Sequence, residues 1–298
     1  MNTTLARVTM HKLSSASPLV GISSSAKRES KTFLHSAVSH STAPFAMGQL
    51  NGLFRVRESS FENFGTHPIS ISGVLLQPQK YTQRPKITES VVEIEDSSFI
   101  KCKQTTITYS GSEGGALLLN GIIASITRCS FRQCEVQMNG GAVRVISSAR
   151  IAIADCLFAE NIAHYFGGAV SLYNVYEAIV SSSNFTLNKC DLDVSAIAVT
   201  VTPSLKMTDL NFINNTATQM GTVYIERTGA TLSNLAFGKN VARVGSSIFV
   251  GEQGVVTISD SSFSDDSQPS IYSESNVEVS KSIFAGDKDK ELFKEKDG

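Results

Sequence analysis

Three aspartates, Asp155, Asp209 and Asp260, each stand three residues ahead of a phenylalanine, and Glu58 and Asp96 hold the same place earlier in the chain. Carboxylates recurring at a fixed offset could do acid–base chemistry on a glycosidic bond. They could also act with calcium and a basic residue on an acidic polysaccharide. Arg128, Ser182, Asn234 and Lys281 interrupt the series. Short polar residues at a chain corner explain it better, because Asp, Ser and Asn all satisfy corner backbone groups. His164 stands beside Tyr165 and Phe166, with Tyr173 and Tyr176 close behind. Tyr165, Phe166, Tyr173 and Tyr176 are the candidate ligand contacts, as rings that could stack on a sugar; the alternative is loop packing. A lone loop histidine is read as solvated. Asn184-Phe185-Thr186 and Asn214-Asn215-Thr216 match the glycosylation acceptor pattern, which matters only in a secretory pathway.

The five cysteines are Cys102, Cys129, Cys134, Cys156 and Cys190. There is no Cys-x-x-Cys pair and histidine is scarce, so a zinc centre is not expected. They read as small buried side chains, with disulfides open to an extracellular chain. No catalytic residue, cofactor or metal ligand is assigned from the sequence.

What must position these residues is a repeat. Phe61, Phe99, Phe131, Phe158, Phe185, Phe212, Phe237, Phe263 and Phe284 follow one another at steps of 38, 32, 27, 27, 27, 25, 26 and 21 residues. Five residues ahead of each sits Val56, Ile94, Ile126, Ile153, Val180, Met207, Leu232, Ile258 or Val279, and three residues behind sits, in four units, Asn161, Asn188, Asn215 or Asn240. A second block, Gly114-Gly115-Ala116, Gly140-Gly141-Ala142 and Gly167-Gly168-Ala169, precedes apolar pairs two residues apart such as Val170 and Leu172. That spacing puts both side chains on one face of a strand. A unit of short strands and glycine corners cannot bury its own apolar face, whereas stacked copies bury a continuous core. The expected fold is all-β: a right-handed parallel β-helix of about nine coils, with stacked Phe and a ladder of Asn amides.

Three parts are expected. Residues 1–57 are Ser/Thr-rich and basic, with seven Arg or Lys against Glu29 alone. That composition resembles a transit peptide, but degenerate coils are the preferred reading of 30–57 because Phe33 lies 28 residues before Phe61. The apolar stretch 18–22 is too short for a secretory signal. Residues 58–286 form the β-helix, with a coil and protruding loop between Phe61 and Phe99. Residues 287–298 form a charged tail or cap. A net charge of −1 gives no reason to expect nucleic acid or an anionic membrane, and no apolar run is long enough to span a bilayer.

Phe158-Ala159-Glu160-Asn161 followed by Gly167-Gly168-Ala169-Val170 resembles the repeat of the chlamydial polymorphic membrane proteins and related protist surface proteins. The resemblance spans roughly residues 90–285. It implies a β-helix at a cell surface or outside the cell, adhesin-like and without catalytic motif, with a protein or glycan partner or self-association. The alternatives are a carbohydrate-active enzyme using Asp155, Asp209 or Asp260, and a purely structural repeat.

Overall fold

A computed structural model describes residues 2–12, 17–22, 28–73, 90–104, 113–264, 269–285 and 293–295. The chain winds as a right-handed parallel β-solenoid of about nine turns around the phenylalanine column. One coil shows the plan. Arg150–Ala154 and Leu157–Ala159 lie in the first sheet, Ile162–Ala163 in a narrow third sheet, and Val170–Tyr173 in the second sheet. Each strand pairs in parallel with its copy one coil away. Phe131 faces Phe158, Ile126 faces Ile153, and Val143 faces Val170. Inward residues alternate with outward ones, so every coil adds one layer to a single core.

The columns behave as their repetition predicts. Eight successive pairs from Phe61 to Phe284 stack with centroids 4.7–5.1 Å apart and planes within 17° of parallel. Rung spacing sets that separation, so ring contact adds to the burial of each side chain. The glycine corner also has a steric cause. Gly167 has φ +69°, and a Cβ on Gly168 would lie 2.1 Å from the Ser195 carbonyl oxygen of the next coil.

The N-terminal register differs from the sequence expectation. Phe33 does not lead the phenylalanine column: it pairs with Val56 and belongs to the aliphatic column five residues ahead. Val38 pairs with Phe61, and Met10 pairs with Val38. Two further sets of rungs therefore precede the Phe61 coil. Phe45 closes the ring stack there, 5.0 Å from both Phe33 and Phe61, which is why a smaller aliphatic fits at position 38. At the other end Phe293–Glu295 pairs in parallel with Ile271–Ser273, so part of the charged segment continues the second sheet. The loop expected between Phe61 and Phe99 falls largely on 74–89, outside the described residues, as does most of 287–298.

Candidate functional site

The acidic column occupies a corner of the coil. Glu58, Asp96, Arg128, Asp155, Ser182, Asp209, Asn234, Asp260 and Lys281 all have φ between +48° and +57°. All are exposed. The chain turns sharply at these residues inside the first sheet, which throws their side chains outward. Asp and Asn tolerate this conformation better than most residues, which accounts for their enrichment. Several partner sideways. Arg128 donates to Asp96 at 2.7 and 2.9 Å, and Asn234 donates to Asp209 at 2.5 Å. The pairing holds the Asp96 carboxyl below its usual range. Asp155 and Asp209 are separated by the Ser182 coil. The neighbouring acids Glu93 and Glu95 form ion pairs with Arg55 at 2.5 Å and Arg57 at 3.1 Å.

Beneath this corner runs a buried hydroxyl and thiol column. The Ser59 Oγ accepts from the Ser36 amide at 3.1 Å, and the Ser183 Oγ accepts from the Cys156 amide at 3.0 Å. Cys129 and Cys156 stand in the same column, and the Cys129 amide donates to the Cys156 sulfur at 3.4 Å. All five cysteines are free and buried; burial raises the Cys102 and Cys190 thiols, and the contact with Cys156, with burial behind it, raises that of Cys129.

A second corner lies five residues further on, and its buried position carries the asparagines. Asn188 Nδ2 donates to Phe158 O and to Asn215 Oδ1, both at 3.0 Å, while its own Oδ1 accepts from Asn161 N at 3.1 Å and Asn161 Nδ2 at 2.9 Å. Asn161, Asn215 and Asn240 continue the ladder. These amides satisfy backbone groups that the turn would leave unpaired inside the coil.

The four rings that could stack on a sugar, or pack in a loop, go to different places. Tyr165 is 48% exposed. Phe166 turns edge-on to Tyr224, centroids 5.2 Å apart, in an apolar cluster with Val194, Ala198 and Phe249 on the outer side of the second sheet. Tyr173 closes the Val170–Tyr173 strand under the Arg144 guanidinium, 5.7 Å from its ring centroid, and Tyr176 is half-buried beyond the next turn. Asn184 and Asn214 are both exposed, and Asn184 accepts from Asn211 at 2.8 Å.

His164 is not a solvated lone residue. Its Nδ1 lies 2.5 Å from Asp191 and its Nε2 3.2 Å from Glu135. Lys189 pairs with Asp191 at 2.7 Å and Lys103 with Glu135 at 2.8 Å, making a five-membered chain of charges across successive coils. Burial lowers the affinity of His164 for a proton, but the hydrogen bonds to Asp191 and Glu135 outweigh it and raise its pKa. Among the described residues no group of three His, Cys, Asp or Glu is placed to hold a metal ion, and no helix is long and apolar enough to cross a membrane.

Comparison with family models, curated proteins and solved structures returns no match. The class of protein is set by its strand registers, a parallel β-solenoid. The likeness to the chlamydial repeat rests on the Phe-x-x-Asn and Gly-Gly-Ala motifs alone.

Proposed function

We propose that the chain is a non-catalytic interaction module, an adhesin-like β-helix at a cell surface or secreted, that holds a protein or glycan partner against its side. The observation that carries this reading is the outer face of the first sheet. Thr127, Ala154, Ser181, Thr208, Ser233, Ser259 and Ser280 stand in one outward column, rung upon rung. Six steps make a flat strip about 29 Å long. Small hydroxylated side chains on a rigid sheet lose little entropy on contact, which suits a broad docking face. The acidic column supports the same reading, since Asp96 and Asp209 are engaged with their neighbours on an exposed corner. Tyr165 is the ring of its quartet most open to a ligand.

A glycan array read beside a reducing-end assay on the same sugars tests the proposal. Binding without new reducing ends is the expected result. Cleavage abolished by Asp209→Asn would replace it with a carbohydrate-active enzyme.

A further inference from the structure

Four of the five cysteines stand in stacked pairs. Lys103 pairs with Glu135 in the third sheet and Ser130 with Leu157 in the first, so Cys102 lies one rung from Cys134, and Cys129 one rung from Cys156. The backbone joins each pair as well: the Glu135 N–H donates to Cys102 O and the Leu157 N–H to Cys129 O, both at 2.9 Å. The rung spacing of about 4.8 Å lies inside the Cα range of roughly 4.4–6.8 Å that a disulfide spans. At the first corner the Cys156 sulfur already reaches across the gap, 3.4 Å from the Cys129 amide nitrogen. Both pairs share the Phe131 coil, one at each of its corners.

Hydrogen bonding alone does not account for cysteine at these places. In the first-corner column the Ser59, Ser97, Ser183 and Ser261 hydroxyls donate to the carbonyl two residues back at 2.7–2.8 Å. Cys129 and Cys156 make the same contact at 3.3 and 3.1 Å. In the second-corner column the asparagine amides donate to the phenylalanine carbonyl of the preceding coil at 2.9–3.1 Å, where Cys134 and Cys102 reach Phe99 O and Phe61 O at 3.7 and 3.8 Å. A thiol is the weaker donor in both columns. What a thiol adds is the capacity to bond to another thiol, and in each column cysteine occurs on two consecutive coils and on no other. Cys190 marks the contrast: its rung neighbours are Ala163 and Ala217, and its thiol turns to Tyr165 O at 3.2 Å.

We propose that Cys102–Cys134 and Cys129–Cys156 are disulfide-forming pairs, which staple the coils of Phe99, Phe131 and Phe158 together when the chain folds in an oxidising compartment. This rests on the surface or secreted setting above. A small disulfide of the glutathione type is the oxidant. One cysteine thiolate attacks it and expels a small thiolate, and the second cysteine thiolate attacks the mixed disulfide and expels the other. Two protein thiols become one S–S bond, the small disulfide is reduced to two thiols, and those two sulfurs take up the protons. All four cysteines are at most 2% exposed, so the exchange belongs to the winding of the coils, before the corners close. The links would hold together the rungs that carry Thr127 and Ala154, at one end of the docking strip.

The test is refolding of the full chain from reduced, denatured protein in a buffer of reduced and oxidised glutathione, followed by N-ethylmaleimide in denaturant and mass spectrometry. One maleimide, on Cys190, is expected instead of the five that the fully reduced protein takes. Trypsin cuts at Arg132, between Cys129 and Cys134, so the two links appear as separate peptide pairs. Cys156→Ser, which places there the residue the same column holds at Ser183, is expected to leave Cys129 and Cys190 open to maleimide and to keep the Cys102–Cys134 link. Each link is expected to raise the thermal midpoint by about 5 °C over the reduced protein. Five maleimides after refolding, a link between Cys129 and Cys134, or an oxidised midpoint below the reduced one would overturn the pairing. The assay needs no ligand, so its outcome is separate from that of the glycan array. Both links in vitro, with five free thiols in protein taken from its own cells, would overturn the surface or secreted reading and leave the pairing in place.

Discussion

Replacing Asn188 by Ala removes a side chain that makes four hydrogen bonds and is 1% exposed. The loss is not four-fold, because some partners keep other bonds. Asn215 Oδ1 still accepts from the Asn188 amide at 3.0 Å, and Asn161 Nδ2 still donates to Phe131 O at 3.1 Å. Two backbone groups lose their side-chain partner, the Asn161 N–H and the Phe158 C=O. At about 1–3 kcal/mol for each buried polar group left unpaired, the expected destabilisation is about 4 kcal/mol. In a chain of this size that lowers the apparent thermal midpoint by about 6 °C. Stacked coils do not unfold as one unit, so urea or thermal unfolding is best read beside amide exchange at Asn161, whose protection is expected to fall. Asn188→Cys is expected to fall between Ala and wild type, because Cys134 holds the same column with a weak Sγ contact to Phe99 O at 3.7 Å. Asn184→Ala, which loses one exposed bond, is expected to cost under about 0.5 kcal/mol. If Asn188→Ala and Asn184→Ala cost the same and Asn161 exchange is unchanged, the ladder does not stabilise the corner.

Other columns give their own tests. Gly168→Ala would drive a Cβ to within 2.1 Å of Ser195 O and 2.5 Å of Lys189 O, so the coils must part; a loss of about 3 kcal/mol is expected in chemical denaturation. Phe185→Ala, mid-stack, is expected to cost about 4 kcal/mol, and Phe284→Ala at the partly buried end clearly less, compared by thermal midpoints. His164 titrates with stability. Its folded pKa lies above the unfolded value of about 6.5, so its contribution is complete below that pH and disappears as pH rises through the folded pKa. The midpoint difference between wild type and His164→Gln should therefore be largest at pH 5.5–6 and fade toward alkaline pH; a difference that grows with pH would contradict the ion-pair geometry.

The coil was legible because stacking gives every member of a column one environment. Phe131, Phe158 and Phe185 meet the same neighbours, so the same residue recurs, and the asparagine ladder follows from amides one rung apart. Position 33 misled because ring counting weighs residue type over corner geometry. The corners themselves keep a five-residue spacing, His35 to His40 as Asp155 to Glu160. Ser36 and Ser41 stand as Cys129 and Cys134 do, and that pair of small polar residues would have set the register through Val38. The outward column at the second corner left no such trace. It reads His40, Asn63, Lys101, Gln133, Glu160 and Leu187, because only the backbone turn and exposure are constrained there. The partners of His164 were hidden for a related reason: Glu135 and Asp191 are 29 and 27 residues away and meet it only through the coil register.

The backbone hydrogen bonds of all three sheets point along the stack, from one coil to the next. A force applied at the two ends of the chain therefore loads the terminal rungs first and peels them in order. One coil from Asn161 to Asn188 is 27 residues, so each event releases about 90 Å of contour. Under tension the molecule would lengthen in near-equal steps and re-form coil by coil when slack, a molecular spool whose step is set by the phenylalanine period.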